Sequence, residues 1–205
     1  MVSPNPQTLA NAVAFATEKH ATQTRKGTLV PYVSHLLAVA GLVLEHGGDE
    51  EQAIAGLLHD VLEDCPGVTR ADLVERFGER VTRIVCDCTD TLPGDTPDQK
   101  SPWRQRKERY LEHLKSTPND SLLVAACDKR HNLGALVGDL RAQGLSYLRR
   151  FNAGPHDQVW FQEEFLRRVV GRVPLRLQLE LDHLITELRR LIQGGDTARH
   201  DKAKV

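Results

Sequence analysis

The segment that most restricts how this chain can fold is Ala53-Ile54-Ala55-Gly56-Leu57-Leu58-His59-Asp60-Val61-Leu62-Glu63-Asp64, an apolar run that ends in imidazole and carboxylate side chains. Its apolar half must be buried, so the polar groups that follow are carried to the edge of the core. Asp49 before it and Pro66-Gly67 after it predict one helix, capped by Asp49 and ending near Asp64. On that helix Glu63 stacks one turn beyond His59, and Asp64 one turn beyond Asp60. His59 and Asp60 sit about 100° apart around the axis, close enough for both to reach one metal ion. A His-Asp dipeptide is common, however, and alone it is far more often an ordinary helix end than a metal site.

Periodicity elsewhere is helical throughout, and no strand pattern or repeat emerges. Leu9, Val13 and Ala16 mark a first helix running to His20 or Ala21. Residues 22–33, which include Arg25-Lys26-Gly27 and Pro31-Tyr32-Val33, have no regular pattern and predict an ordered loop. Ser34 is the predicted N-cap of a second helix through Glu45, with His35 on its first turn. Thr69-Arg70-Ala71-Asp72 reads as a capped start for a short helix stopped by Gly78, and a further helix covers 79–89. The Pro-rich stretch 91–102 predicts a mobile loop. Trp103 to Leu114 is a helix dense in cations, with Arg104, Arg106, Lys107 and Arg109. Its charge alone suggests a solvated face.

The next helix begins at Asn119 or Asp120 and buries Leu122 to Ala126 before reaching Asp128-Lys129-Arg130-His131-Asn132. A carboxylate directly after such a run needs a partner, because burying it alone is costly. Asn132 lies one turn further on the same side. The remainder predicts a Tyr147–Phe151 element, a helix over 158–170 and a leucine-rich final helix from Pro174, which leaves a homodimer open. The whole reads as an all-α chain with one domain over 1–193, its motifs within 23–140, added helices over 145–193 and a flexible tail over 194–205.

Composition narrows the partners. With 27 Lys and Arg against 28 Asp and Glu, the formal net charge of -1 gives no bulk attraction to nucleic acid or to an anionic membrane. No apolar run approaches the roughly 20 residues of a membrane span, and Met1 to Pro6 has no leader pattern. The four cysteines form no CxxC pair, so a reduced, cytoplasmic chain is expected. Cys65 and Cys127 read as small packing groups, and His20, His46, His113, His131 and His156 as surface or packing residues.

Collecting the ligand-type residues at the ends of apolar helical stretches gives His35, His59, Asp60 and Asp128. Two imidazoles and two carboxylates suit a divalent transition ion such as Mn²⁺, Fe²⁺ or Zn²⁺. The order His, His-Asp, distant Asp resembles the HD-domain metal-dependent phosphohydrolases. Arg25-Lys26-Gly27, Pro31-Tyr32-Val33-Ser34-His35, Leu57 to Asp64, Phe77-Gly78 and Asp128 to Asn132 together are similar to the hydrolase domain of RelA/SpoT homologues, in particular the small alarmone hydrolases.

That resemblance implies an all-helical HD domain that removes the 3′-pyrophosphate of (p)ppGpp, usually with Mn²⁺. It makes His35, His59, Asp60 and Asp128 the metal ligands, and Glu63 and Asp64 the acids that orient or activate the attacking water. Arg25, Lys26 and Asn132 fall at substrate-pocket positions. Arg104 and Lys107 could neutralise phosphate charge, although their spacing departs from the family's. Three rivals stay open: a (p)ppApp hydrolase, another HD nucleotide phosphohydrolase, and a nucleotide-binding HD module without catalysis.

Overall fold

The structure of the protein, a computed structural model, describes residues 6–90, 99 and 101–202, with side chains described between 8 and 194. The predicted mobile loop over 91–102 falls almost wholly outside the described residues, as do 203–205. Among the described residues all regular structure is helical: α1 (Pro6–Lys19), α2 (Val33–Glu45), α3 (Glu50–Leu58), α4 (Val61–Asp64), α5 (Arg70–Cys88), α6 (Trp103–His113), α7 (Asn119–Gln143), a 3-10 turn (Leu145–Arg150), α8 (Pro155–Val169) and α9 (Leu175–Lys202). The single extended feature is an isolated antiparallel bridge, Thr24 to Pro31, which folds the 22–32 loop back on itself.

The capping signals work as chemistry predicts. Asp49 accepts from the Gln52 amide while the Gln52 side chain accepts from Asp49 N–H, and Thr69 and Asp72 form the same reciprocal pair. Gly78 interrupts α5 with φ 86° and ψ 168°, a conformation open essentially to glycine alone. Two sequence expectations need correction. Ser34 is no cap: α2 starts at Val33, so Ser34 already lies in its first turn, and Tyr32 at the boundary has helical φ and ψ and gives no side-chain cap.

The other correction concerns the defining segment, which is two helices rather than one. α3 ends at Leu58, and Asp60, with φ −100° and ψ −4°, starts the single turn of α4. The Gly56 carbonyl, which an uninterrupted helix would offer to the Asp60 N–H, accepts from His59 Nδ1 at 2.9 Å.

Two apolar clusters hold the helices together, and α7 runs through both. Leu122 to Cys127 belong to a large core shared with α1, α2, α3, α5 and the first part of α9. Leu133 to Leu140 belong to a smaller one shared with the 3-10 turn and with Ile185, Leu188 and Ile192. The polar segment Asp128 to Asn132 lies between them, where a helix can carry charged side chains without cutting a core in half. Cys65 and Cys127 are buried among apolar neighbours. Leu175 and Leu179 of α9 remain exposed. No helix among the described residues is long and apolar enough to cross a membrane.

Candidate metal centre and cavity

The four sequence-derived ligands converge from three directions. His35 comes from the first turn of α2, His59 and Asp60 from the break between α3 and α4, and Asp128 from the junction of the two cores on α7. His35 Nε2 lies 3.2 Å from Asp128 Oδ1 and 3.8 Å from Asp60 Oδ2. His59 Nε2 lies 2.8 Å from Asp60 Oδ2 and 3.5 Å from Asp128 Oδ1. Ligand atoms of His35, His59 and Asp128 all lie within 4.8 Å of one another.

Whether these residues fit a divalent cation can be judged from the orphaned atoms. Both Nε2 atoms are buried, yet neither has a hydrogen bond of acceptable geometry. Buried polar atoms without partners are rare, and two aimed at one point between two carboxylates call for a cation. Titration points the same way. Burial lowers the pKa of His35, keeping its imidazole neutral. Burial would lower that of His59 as well, but Asp60 and Asp128 outweigh it and raise the value well above the usual range. Asp60 and Asp128 are held low against burial, by His59 for Asp60 and by Lys129 and then His59 for Asp128. The cluster thus demands positive charge at its centre.

Neighbouring groups fix the ligands. His59 Nδ1 donates to Gly56 O, so Nε2 is the nitrogen that would offer a lone pair once a cation takes the place of the proton that Asp60 and Asp128 favour there. His35 Nδ1 meets His131 Nδ1 at 2.8 Å, so one ring donates and the other accepts. The Tyr32 hydroxyl donates to Asp60 Oδ2 at 2.5 Å. Asn132 Nδ2 and Lys129 Nζ each donate to Asp128 at 2.5 Å. Arg25 in turn donates to Asn132 Oδ1 at 2.7 Å.

The two acids stand one turn beyond Asp60. Glu63 Oε1 accepts the Asp90 backbone N–H at 2.7 Å, and Asp64 Oδ2 accepts from Gln23 Nε2 at 2.9 Å. Gln23 is itself bonded to His20, whose ring stacks on Tyr32 with centroids 5.2 Å apart.

Beside the cluster opens a cavity of about 580 Å³, within the size range of nucleotide-sized pockets. Tyr32, Ser34, Lys129, His131 and Asn132 face it where it adjoins the ligands, and Arg25, Lys26 and Lys107 add cations. The four ligands, Glu63 and Asp64 are not among its lining residues. Lys107 is half-buried and paired with Asp90. Arg104 is not brought to the cavity: it pairs with Glu108 and Asp157 and stacks 3.3 Å over the Trp160 ring.

Several participants were not picked out from the sequence. Lys129 and Tyr32 lie inside the quoted motifs, but nothing in their spacing shows that their side chains turn back onto Asp128 and Asp60. His131, expected at the surface or in packing, sits against His35 instead. Its separation from His35 by 96 residues left no local signal.

Comparison with known proteins agrees with this geometry. Residues 12–146 match the HD domain family. The Xenopus tropicalis guanosine-3′,5′-bis(diphosphate) 3′-pyrophosphohydrolase MESH1 is 34% identical over 135 residues, covering 64% of this chain and 71% of that protein. The bifunctional (p)ppGpp synthase/hydrolase SpoT of Escherichia coli K12 is 33% identical over 139 residues, 65% of this chain but only 18% of that much longer protein. The solved structure of a metazoan ortholog of SpoT that hydrolyzes ppGpp shares the fold, with a TM-score of 0.73 and 24% identity over 91% of this chain and 98% of that one. The chain therefore belongs to the HD-domain family, as a phosphohydrolase related to the SpoT and MESH1 (p)ppGpp 3′-pyrophosphohydrolases.

Proposed function

We propose that this protein hydrolyses the 3′-pyrophosphate of a (p)ppGpp-type nucleotide, giving GDP or GTP and pyrophosphate, with Mn²⁺ or another divalent transition ion held by His35, His59, Asp60 and Asp128. The observation that carries this reading is the meeting of two unpartnered, buried imidazole nitrogens with two carboxylates at the edge of a cation-lined cavity. Bound there, a divalent ion would supply Lewis acidity and lower the pKa of a coordinated water from about 15.7 towards about 7.

The chain's own groups do the rest. In this reading Glu63 and Asp64, partly buried and one turn past Asp60, accept the proton of the attacking water, a role that contributes on the order of 10²–10⁴ in rate. Arg25, Lys26, Lys107 and Lys129 offset charge on the two pyrophosphate groups and on the transition state. Asn132, bonded to both Asp128 and Arg25, ties the ligand set to the substrate cation. The printed activities of the related MESH1 and SpoT proteins support this substrate class. The four cysteines are all free, in keeping with a reaction in the reducing cytoplasm.

The test is metal-dependent release of pyrophosphate from ppGpp by the wild type and by His59→Ala, Glu63→Gln and Arg25→Ala. The first loses bound metal and activity together. Glu63→Gln keeps the metal and loses kcat, whereas Arg25→Ala chiefly raises KM. Metal binding without cleavage of any 3′-pyrophosphorylated nucleotide refutes the reading. Cleavage of nucleoside monophosphates in their place would make the protein a broader HD nucleotidase.

A further inference from the structure

The cavity's aromatic rings and its carboxylate gather at one end along α7. Asp128, Asn132, Leu136 and Asp139 are spaced four, four and three residues apart and share one face of that helix, so the cavity follows the helix away from the ligands. From Asp128 to Asp139 the axial rise is about 16 Å, the scale of a nucleotide lying lengthwise. Cations stand at both ends: Lys107 and Lys129 near the ligands, and Lys26 at the other, its Nζ 5.5 Å from the Phe151 ring centroid. At the far end stand the rings of Tyr147 and Phe151, their centroids 5.7 Å apart. Among the described lining residues Asp139 is the one carboxylate. It lies against the Tyr147 phenol, whose pKa is pushed up by burial and then by this carboxylate.

A carboxylate in a cavity for a polyanion is unfavourable unless it faces hydrogen-bond donors away from the phosphates. The aromatic end is where a base would stack, and a carboxylate has about four lone-pair sites, of which one phenol can occupy only one. Guanine presents two adjacent donors, N1–H and the N2 amino group, which match the two oxygens of a carboxylate. Adenine presents a lone pair at N1 on that edge and would leave it facing an anion.

We propose that Asp139 is the residue that selects guanine, accepting hydrogen bonds from N1–H and N2–H of a base seated against Tyr147 and Phe151. This rests on the reading of the cavity as a nucleotide site given above. Hypoxanthine, with N1–H but no N2 amino group, falls between the two bases.

The experiment compares kcat/KM for the guanosine, inosine and adenosine 5′-diphosphate 3′-diphosphates in the wild type, Asp139→Asn and Asp139→Ala. Wild type follows guanosine, inosine, adenosine, with at least about 100-fold between the ends, because a site built on hydrogen bonds discriminates strongly against a base lacking the donors. Asp139→Asn keeps an acceptor for Tyr147 and gains a donor for adenine N1, so the ratio falls to within about 10-fold while the melting temperature holds. Asp139→Ala loses guanosine preference through KM.

Equal use of guanosine and adenosine by wild type overturns the inference, as does an Asn variant with the wild-type ratio. Calorimetric binding of GDP against ADP separates this inference from the proposed activity. Asp139-dependent preference for GDP without any pyrophosphate release sustains the guanine site and sinks the hydrolase, whereas equal binding sinks the guanine site.

Discussion

Replacing His131 with Phe should weaken metal binding by about 10- to 100-fold without touching a ligand. For His35 to offer a lone pair at Nε2, its proton must sit on Nδ1, and the Nδ1–H then needs the acceptor that His131 Nδ1 supplies at 2.8 Å. The His35 ring is 0% exposed, so water cannot replace that acceptor. Without metal, the His131→Phe protein can shift the proton to Nε2, where Asp128 Oδ1 lies 3.2 Å away. With metal it cannot, and the Nδ1–H is left buried and unsatisfied, at a cost of about 1–3 kcal/mol. At about 1.4 kcal/mol per factor of ten, that cost corresponds to roughly 5- to 150-fold in affinity, which brackets the 10- to 100-fold typical of such outer partners. The assay is Mn²⁺ titration by calorimetry in competition with a weak chelator. His131→Asn, whose Oδ1 can occupy the position of the ring nitrogen, should stay within about fivefold of wild type. Wild-type affinity in the Phe variant, or an Asn variant as weak as Phe, would refute the reasoning.

Three other outcomes follow from the same structure. Gly78→Ala, with φ of 86° and open space around the site, should cost about 1–3 kcal/mol in urea unfolding and leave KM unchanged; a neutral result would show that α5 does not need its break. In chelator, stability should decline as pH falls below about 6.5, partly because burial lowers the pKa of His46 although Glu180 opposes it; the unfolded chain then takes up a proton that the folded chain refuses. That loss should be shallower between pH 7 and pH 5 in His46→Gln, and an identical slope would remove His46 from the account. Finally, stripping metal should abolish turnover while helical circular dichroism persists, since the ligands sit between two apolar clusters rather than within one. Restoring it at 100 times Kd should add about 2.7 kcal/mol of stability, and helix loss on stripping would contradict this.

Much of the fold could be read from the chain because its signals are local. Asp49 with Gln52, Thr69 with Asp72, and the stop at Gly78 each act within a few residues, so spacing alone predicts them. The convergence of the four candidate ligands was legible for a related reason: each lies at an end of an apolar stretch, and burial of that stretch delivers the polar group to a common boundary. Local signals failed where the chain entered or left a helix a residue or two from the expected place. Ser34 falls inside the first turn of α2 rather than before it, and the expected helix breaks after Leu58, where the His59 ring bonds the Gly56 carbonyl. Arg104 and Lys107 look equivalent in sequence, three residues apart on one helix. Trp160 and Asp157 hold the first outside, whereas Asp90 holds the second beside the cavity.

The residue order alone thus determined an all-helical chain, the caps at Asp49 and Thr69, the stop at Gly78, and the candidate groups proposed to gather a divalent ion, since these depend on composition and on separations of three or four positions. What packing decided was which imidazole supports which ligand, which cations reach the cavity, and that Asp139 stands at its far end beside two aromatic rings. Those arrangements join residues up to 107 positions apart. Contacts at that range are set by how the helices stack, and no nearby stretch of sequence encodes them.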